Sequence, residues 1–257
     1  MLELKHVTKH YNLGTVNELC LFQDFNLVVP DRQFVSVVGS NGSGKTSMLN
    51  LICGSIDMDQ GQILANGMDI TGKKDFERHQ SIGRVYQDPA KGTCPSMTIL
   101  ENMSIADHKG KGYGLGQGKN KGKAEEYRKM LRSLNLGLED KLEVKAGALS
   151  GGQRQALALL MATMTPIEFL ILDEHTAALD PKTAELVMEL TGKIVREKQV
   201  TTIMVTHNLR YAVEYGDRLL MMHQGSIVMD CAGEEKAKLK VEDILQTFNE
   251  ISIECGN

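Results

Sequence analysis

The feature that most constrains this chain is the stretch from Phe34 to Ile52. An apolar run, Phe34 to Val38, leads into Gly39-Ser40-Asn41-Gly42-Ser43-Gly44-Lys45-Thr46, and a helix-forming segment follows from Thr46 to Ile52. A run apolar on both faces reads as a strand covered by helices. The strand, glycine-rich turn and helix together are the context in which G-x-x-x-x-G-K-[ST] is a phosphate loop. The glycines let backbone N–H groups curl around phosphate oxygens, and the helix N-terminus adds favourable partial charge. Lys45 supplies a cation near the outer phosphates, and the Thr46 hydroxyl suits Mg2+.

Further short segments rich in Val and Ile, namely Ile82 to Tyr86, Phe169 to Leu172, Thr201 to Thr206 and Arg218 to Met222, alternate with helical patterns. That alternation predicts an α/β core with a mainly parallel sheet. Leu2 to Val7 and Leu21 to Val29 read as strands and 61–67 as strand then turn, so an antiparallel β portion is expected before the core. Between Asp88 and Leu149 the pattern changes to helix and loop, with helices predicted over Ile99 to Ala106 and Lys123 to Leu136. We therefore expect one domain over 1–257 with an α-helical subdomain inserted at about 88–160. Residues 109–123, KGKGYGLGQGKNKGK, lack apolar periodicity and read as a flexible loop, either a solvated excursion or a surface for lipid headgroups or an acidic partner. Val241 to Phe248 reads as an amphipathic helix.

Composition narrows the partners. The chain has 257 residues, 29 Lys+Arg against 33 Asp+Glu and a net charge of −4, a balance that disfavours a surface built for nucleic acid. Its apolar runs fall well short of the roughly 18 residues of a membrane-spanning helix. The start, Met1-Leu-Glu-Leu-Lys-His6, has no signal-peptide character, so a cytoplasmic location is expected. Five dispersed cysteines, none in a Cys-x-x-Cys pair, suggest neither a disulfide framework nor a zinc site.

Two other segments carry chemistry. Phe169-Leu-Ile-Leu-Asp173-Glu174 is a buried strand ending in two acids, at the strand end where parallel sheets bind ligands. Asp173 suits a magnesium shell. Glu174 suits a base that orients and polarises an attacking water. Leu149-Ser150-Gly151-Gly152-Gln153-Arg-Gln155 opens another helix, whose N-terminal amides and Ser150 hydroxyl make a second anion site.

The order GSNGSGKT, Gln87, LSGGQ, ILDE, Ala178-Leu-Asp180 and His207 resembles the nucleotide-binding domain of ABC ATPases over nearly the whole chain. The resemblance implies ATP and Mg2+ as ligands, with Gly39 to Ser47 holding ATP and Thr46, Gln87 and Asp173 around the metal. It implies a head-to-tail dimer in which Ser150, Gly151, Gly152 and Gln153 act on the partner copy's nucleotide. Tyr11 matches the aromatic that stacks on adenine, Gln87 the hinge glutamine, and His207 the histidine that contacts the γ-phosphate. Asp180 matches the acid that reads the opposing subunit, and it also reads as a helix N-cap before Pro181. Glu174, His207 and Gln87 are thus the expected catalytic set.

The commonest family pattern has Pro after the Asp-Glu pair, whereas His175 stands here. DEHTAALD and QDPAKGTCPSMT resemble a narrower bacterial group of uptake ATPases. That resemblance implies a separate transmembrane permease, an extracellular solute-binding protein, and a place on the inner face of the membrane. Two rival readings are a soluble ABC ATPase acting on ribosome or DNA, which usually shows tandem cassettes or a coiled-coil insertion, and a non-catalytic ATP-binding module, against which Glu174 and His207 speak.

Overall fold

The computed structural model describes residues 1–111 and 118–254, with side chains described up to residue 251. The chain forms two compact units, Met1–Arg78 with Val200–Asn257, and His79–Gln199.

In the first unit the chain opens with β1 (Leu2–Tyr11), β2 (Leu19–Val29), β3 (Phe34–Gly39), α1 (Lys45–Cys53), β4 (Gln60–Ala65), β5 (Met68–Asp69) and α2 (Asp75–Arg78). The second unit contains β6 (Ile82–Val85), α3 (Ile99–Asp107), α4 (Ala124–Arg132), α5 (Gly151–Thr163), β7 (Phe169–Asp173) and α6 (Pro181–Lys198). The chain then returns to the first unit with β8 (Thr201–Val205), α7 (Leu209–Glu214), β9 (Arg218–His223), β10 (Ser226–Ala232), α8 (Gly233–Lys238) and α9 (Val241–Glu254).

The first unit holds an antiparallel sheet in the order β2-β1-β4-β5. Beside it β3 lies parallel between β8 and β9, with Val35 opposite Ile203 and Val37 opposite Leu220. Every residue of β3 and β8 is buried, as both-face coverage requires. The end of α1 is closed by Gly54 in the left-handed region and by Arg78, whose guanidinium donates to the carbonyls of Leu51, Ile52, Thr71 and Lys73. The bonds to Leu51 O and Ile52 O help to satisfy acceptors at the helix end. β10 was not anticipated from the sequence. Its residues alternate between exposed and half-buried, and it pairs antiparallel with β9 across the Gln224-Gly225 turn. Gly225 has φ 75°, and a Cβ there would collide with the Leu21 carbonyl. α9 runs past the expected Phe248 to Glu254, because Ile251 continues the apolar stripe begun by Ile244 and Phe248 on one small core cluster.

In the second unit β6 and β7 pair in parallel, Ile82 opposite Phe169 and Val85 opposite Leu172. α5 packs on β6, α3, α4 and α6. α3 starts on a capping box, Thr98 with Glu101. The buried Asn102 amide accepts from the Cys94 N–H and donates to the carbonyls of Cys94, Met97 and Thr98, which folds residues 94–98 against the start of α3. α4 stops at Arg132, short of the expected Leu136, where Asn135 and Gly137 turn left-handed at φ 54° and 64°.

The described ends of the 109–123 segment, which reads as a flexible loop, are tied down. Lys123 and Lys111 both reach the Asp107 carboxylate, at 2.8 and 3.3 Å, and Lys119 pairs with Glu143 at 2.7 Å. The Lys109 ammonium donates to the Ile82 carbonyl at 2.9 Å, and its burial pulls its pKa down to about 8. Residues 112–117 lie outside the described residues.

Candidate functional site

The phosphate loop leaves the carboxyl end of β3 and enters α1. Gly44, the N-cap, has φ 103°, and a Cβ there would lie 2.9 Å from the Phe22 ring. A Cβ on Gly39 would meet the Met222 carbonyl and lie 2.8 Å from the Ser43 hydroxyl. Glycine at these two positions is thus a packing requirement of the fold as well as a condition for backbone approach to a ligand. Lys45 is only 5% exposed. Its ammonium donates to the carbonyls of Gly39 (2.7 Å) and Ser40 (2.8 Å) and to the Ser43 hydroxyl (3.3 Å). An ammonium has three donors, and these three contacts hold it to the loop itself.

Tyr11 ends β1, and its hydroxyl donates to the Ser47 hydroxyl at 3.3 Å, joining the expected adenine-stacking ring to the first turn of α1. The Lys9 ammonium stands 5.5 Å from that ring's centroid. His207 lies just beyond β8, whose neighbour is β3, so His207 and the phosphate loop emerge from the carboxyl ends of adjacent parallel strands. Thr206 N–H donates to Val37 O at 3.1 Å. Asn208 receives the Tyr211 N–H as the N-cap of α7. His207 is exposed between these two pinned residues.

In the second unit Gln87 follows β6 and the Asp173-Glu174 pair closes β7, again at the carboxyl ends of paired parallel strands. Gln87 is exposed. Glu174 is half-buried with φ 48°, a left-handed conformation that costs a non-glycine residue about 1–3 kcal/mol and gathers at functional sites. The turn after it is closed by Ala177 N–H donating to Glu174 O at 2.9 Å. His175 is buried, with Nε2 3.0 Å from the Thr191 hydroxyl. That hydroxyl gives its only proton to Val187 O at 2.8 Å, so Nε2 is the imidazole nitrogen that carries hydrogen. Burial lowers the His175 pKa to about 4 and keeps it neutral. This residue, which departs from the commonest family pattern, pins the chain directly after Glu174 to α6.

Ser150 and Gln153 form a capping box at the head of α5, each side chain meeting the other's backbone N–H at 3.3 Å. Gln153 also donates to Leu136 O. Gly152 is buried, and a Cβ there would collide with the Thr183 methyl, so this glycine sets how close α5 comes to α6. Gly151 is exposed. Asp180 caps α6 by accepting from Thr183 N–H at 3.1 Å, and hydrogen bonding from the Thr183 side chain first, then from this N–H, holds its carboxyl below the usual range.

Sequence reasoning missed two residues. Gln155, fully buried, donates from Nε2 to Tyr86 O at 3.0 Å, tying the signature helix to the residue before Gln87. Arg84 is buried on β6 and pairs with Asp173 at 3.1 Å. A charge in an otherwise apolar strand was the signal available for Arg84. Nothing in the spacing marked Gln155.

Among the described residues no helix is long and apolar enough to cross a membrane, and no three His, Cys, Asp or Glu side chains converge on a metal-sized site.

A family model described as ABC transporter matches residues 22–177. The chain is 46% identical over 248 residues to a tyrosine transport ATP-binding protein of Clostridioides difficile (strain R20291), covering 96% of this chain and 98% of that protein. It is 31% identical over 250 residues to a phosphonates import ATP-binding protein of Lactococcus lactis subsp. cremoris (strain SK11), covering 95% and 98%. A solved dimeric ATP-binding cassette in a post-hydrolysis state, bound to ADP and Pi, matches with a TM-score of 0.75 and 29% identity over 90% of this chain and 98% of that one. With an α/β fold carrying both an antiparallel and a mainly parallel sheet, this chain belongs to the ABC transporter family as an ATP-binding, ATP-hydrolysing subunit.

Proposed function

We propose that two copies of this chain close head to tail on two Mg-ATP, hydrolyse them and reopen, driving a separate transmembrane permease between its two access states. The observation that carries the reading is the pairing of functional residues at parallel-strand ends in each unit. His207 lies beside the phosphate loop in one, and Gln87 beside Asp173 and Glu174 in the other.

Lys45, released from its contacts with Gly39, Ser40 and Ser43, turns to the phosphate oxygens. The backbone amides of residues 39–47 cradle the phosphates, and the Tyr11 ring supports adenine. Glu174 orients the attacking water and takes its proton, and His207 steadies the γ-phosphate. Ser150, Gly151 and Gln153 present the head of α5 to the partner copy's nucleotide. Gly152 contributes through its close packing on Thr183, and Asp180 reports the state of the opposing copy.

Thr46, Gln87 and Asp173 offer a hydroxyl, an amide and a carboxylate oxygen, a hard donor set too small to be a cage without substrate phosphates, which fits Mg2+. When bound, Mg2+ would supply positive charge to stabilise the charge that develops on the transferring phosphoryl group.

We assign the chain to uptake, working on the cytoplasmic face of the membrane through its permease and fed by an extracellular solute-binding protein. Within a single cassette of 1–257 carrying a helical part at about 88–160, the permease meets that helical part around residues 88–108. The import named for the Lactococcus relative supports that direction, and the tyrosine transport named for the Clostridioides relative makes an amino acid the first solute class to test.

The head-to-tail arrangement is tested by mixing. Lys45→Ala chains and Ser150→Arg chains, each inactive alone, recover ATPase activity when combined, because the mixed dimer contains one site with an intact phosphate loop and an intact signature. A mixture that stays inactive while mixed dimers form would overturn it.

A further inference from the structure

β6 is Ile82-Gly83-Arg84-Val85, and all four residues are buried. An arginine in such a strand is tolerated only when its charge is met. The Arg84 guanidinium lies between two groups: the Asp173 carboxylate, Nη2 to Oδ2 3.1 Å, and the Tyr86 ring, 4.6 Å from the centroid. The paired side chains are only 4% and 13% exposed, so the contact is shielded far better than a surface ion pair. The aromatic face adds to the hold on the cation.

The acid that Arg84 meets is the one that ends β7, immediately before Glu174. The parallel register places Arg84 opposite Ile171, two residues short of Asp173, so the long side chain runs toward the strand end where the chemistry sits. Any acid along the strand would have balanced the charge. The pairing at Asp173 instead fixes one carboxylate oxygen, and with it the side-chain rotamer, of the residue that faces the metal shell.

We propose that Arg84 is a positioning residue for Asp173, holding its carboxylate in the orientation from which the magnesium shell of bound ATP is completed. Arg84 acts through Asp173. The inference rests on the reading of Asp173 as a magnesium-shell acid, and its test separates the two.

The test measures ATP binding to the full-length chain by calorimetry, in EDTA and across a magnesium titration, for wild type, Arg84→Met, Arg84→Lys and Asp173→Asn. In EDTA, Arg84→Met binds ATP within about twofold of wild type, because the phosphate loop is untouched. The magnesium concentration for half-maximal Mg-ATP binding rises roughly tenfold, the scale of a lost outer-shell partner. Arg84→Lys, with charge but without the planar fork, falls between. The Arg84→Met/Asp173→Asn double variant resembles Asp173→Asn alone. A shift in Asp173→Asn with none in either Arg84 variant overturns the role of Arg84 and leaves that of Asp173 standing. No shift in Asp173→Asn overturns both. If thermal unfolding shows that Arg84→Met does not fold, Arg84→Lys decides: a raised magnesium requirement supports the proposal, and an unchanged one overturns it.

Discussion

Glu174→Gln binds ATP, remains paired with a second copy around it, and releases phosphate slower than wild type by roughly 10²- to 10⁴-fold, the range that a positioned base contributes. The substitution changes little else. Gln has the shape of Glu, the left-handed backbone at 174 is retained, and the buried His175–Thr191 bond still pins the following residue. Binding depends on the phosphate loop, which belongs to the other compact unit. The check is steady-state phosphate release beside size-exclusion chromatography with and without ATP. Near-normal turnover would remove Glu174 as the base. Loss of ATP binding together with loss of turnover would mean the residue serves the fold rather than the chemistry.

Lys45→Ala loses ATP affinity by roughly 10- to 100-fold, the cost of one to two charge-assisted hydrogen bonds. The buried ammonium has two functions. It ties Gly39, Ser40 and Ser43 into the loop, and it is the one cation inside the motif. Lys45→Met keeps the aliphatic stem and fills the same space, so it separates the packing of the stem from the two functions of the ammonium. We expect Lys45→Met to unfold above Lys45→Ala in a thermal melt while binding ATP as poorly as Lys45→Ala. Calorimetry on both variants measures the loss, and unchanged affinity in either would take the ammonium out of the account of binding.

The sequence was most readable where one local pattern determines the outcome. Apolar runs such as Phe34 to Val38 and Thr201 to Val205 are strands because both their faces are covered, and the loop between β3 and α1 was visible from its glycines and Lys45. The cap at Asp180 was likewise local, whereas the Ser150 hydroxyl, read as part of an anion site, turned out to cap α5. What escaped depended on distant partners. β10 alternates without strong hydrophobicity and is a strand because β9 offers it an edge. α9 extends to Glu254 because Ile251 finds the same cluster as Ile244. The lysines of 109–123 read as a solvated or partner-facing loop, but Lys111 and Lys123 both pair with Asp107 at the end of α3, and Lys119 pairs with Glu143.

The site shows the same division. Gly152 was read from its motif as a contact for a partner's nucleotide. Its burial against Thr183 depends on how α5 and α6 pack, which no spacing encodes. His175 stood out as a departure from the commonest pattern, but its role became visible only with Thr191 sixteen residues away and facing it. Arg84 and Gln155 were silent for the same reason: their partners, Asp173 and Tyr86 O, are 89 and 69 residues distant in sequence.

The most direct test of the account is affinity purification of the tagged chain from detergent-solubilised native membranes, with identification and quantification of what co-purifies. The account predicts a polytopic membrane protein in near-equal amount, whose presence stimulates ATP hydrolysis. Recovery solely from the soluble fraction, with ribosomal or DNA-bound partners and no membrane protein, would contradict it.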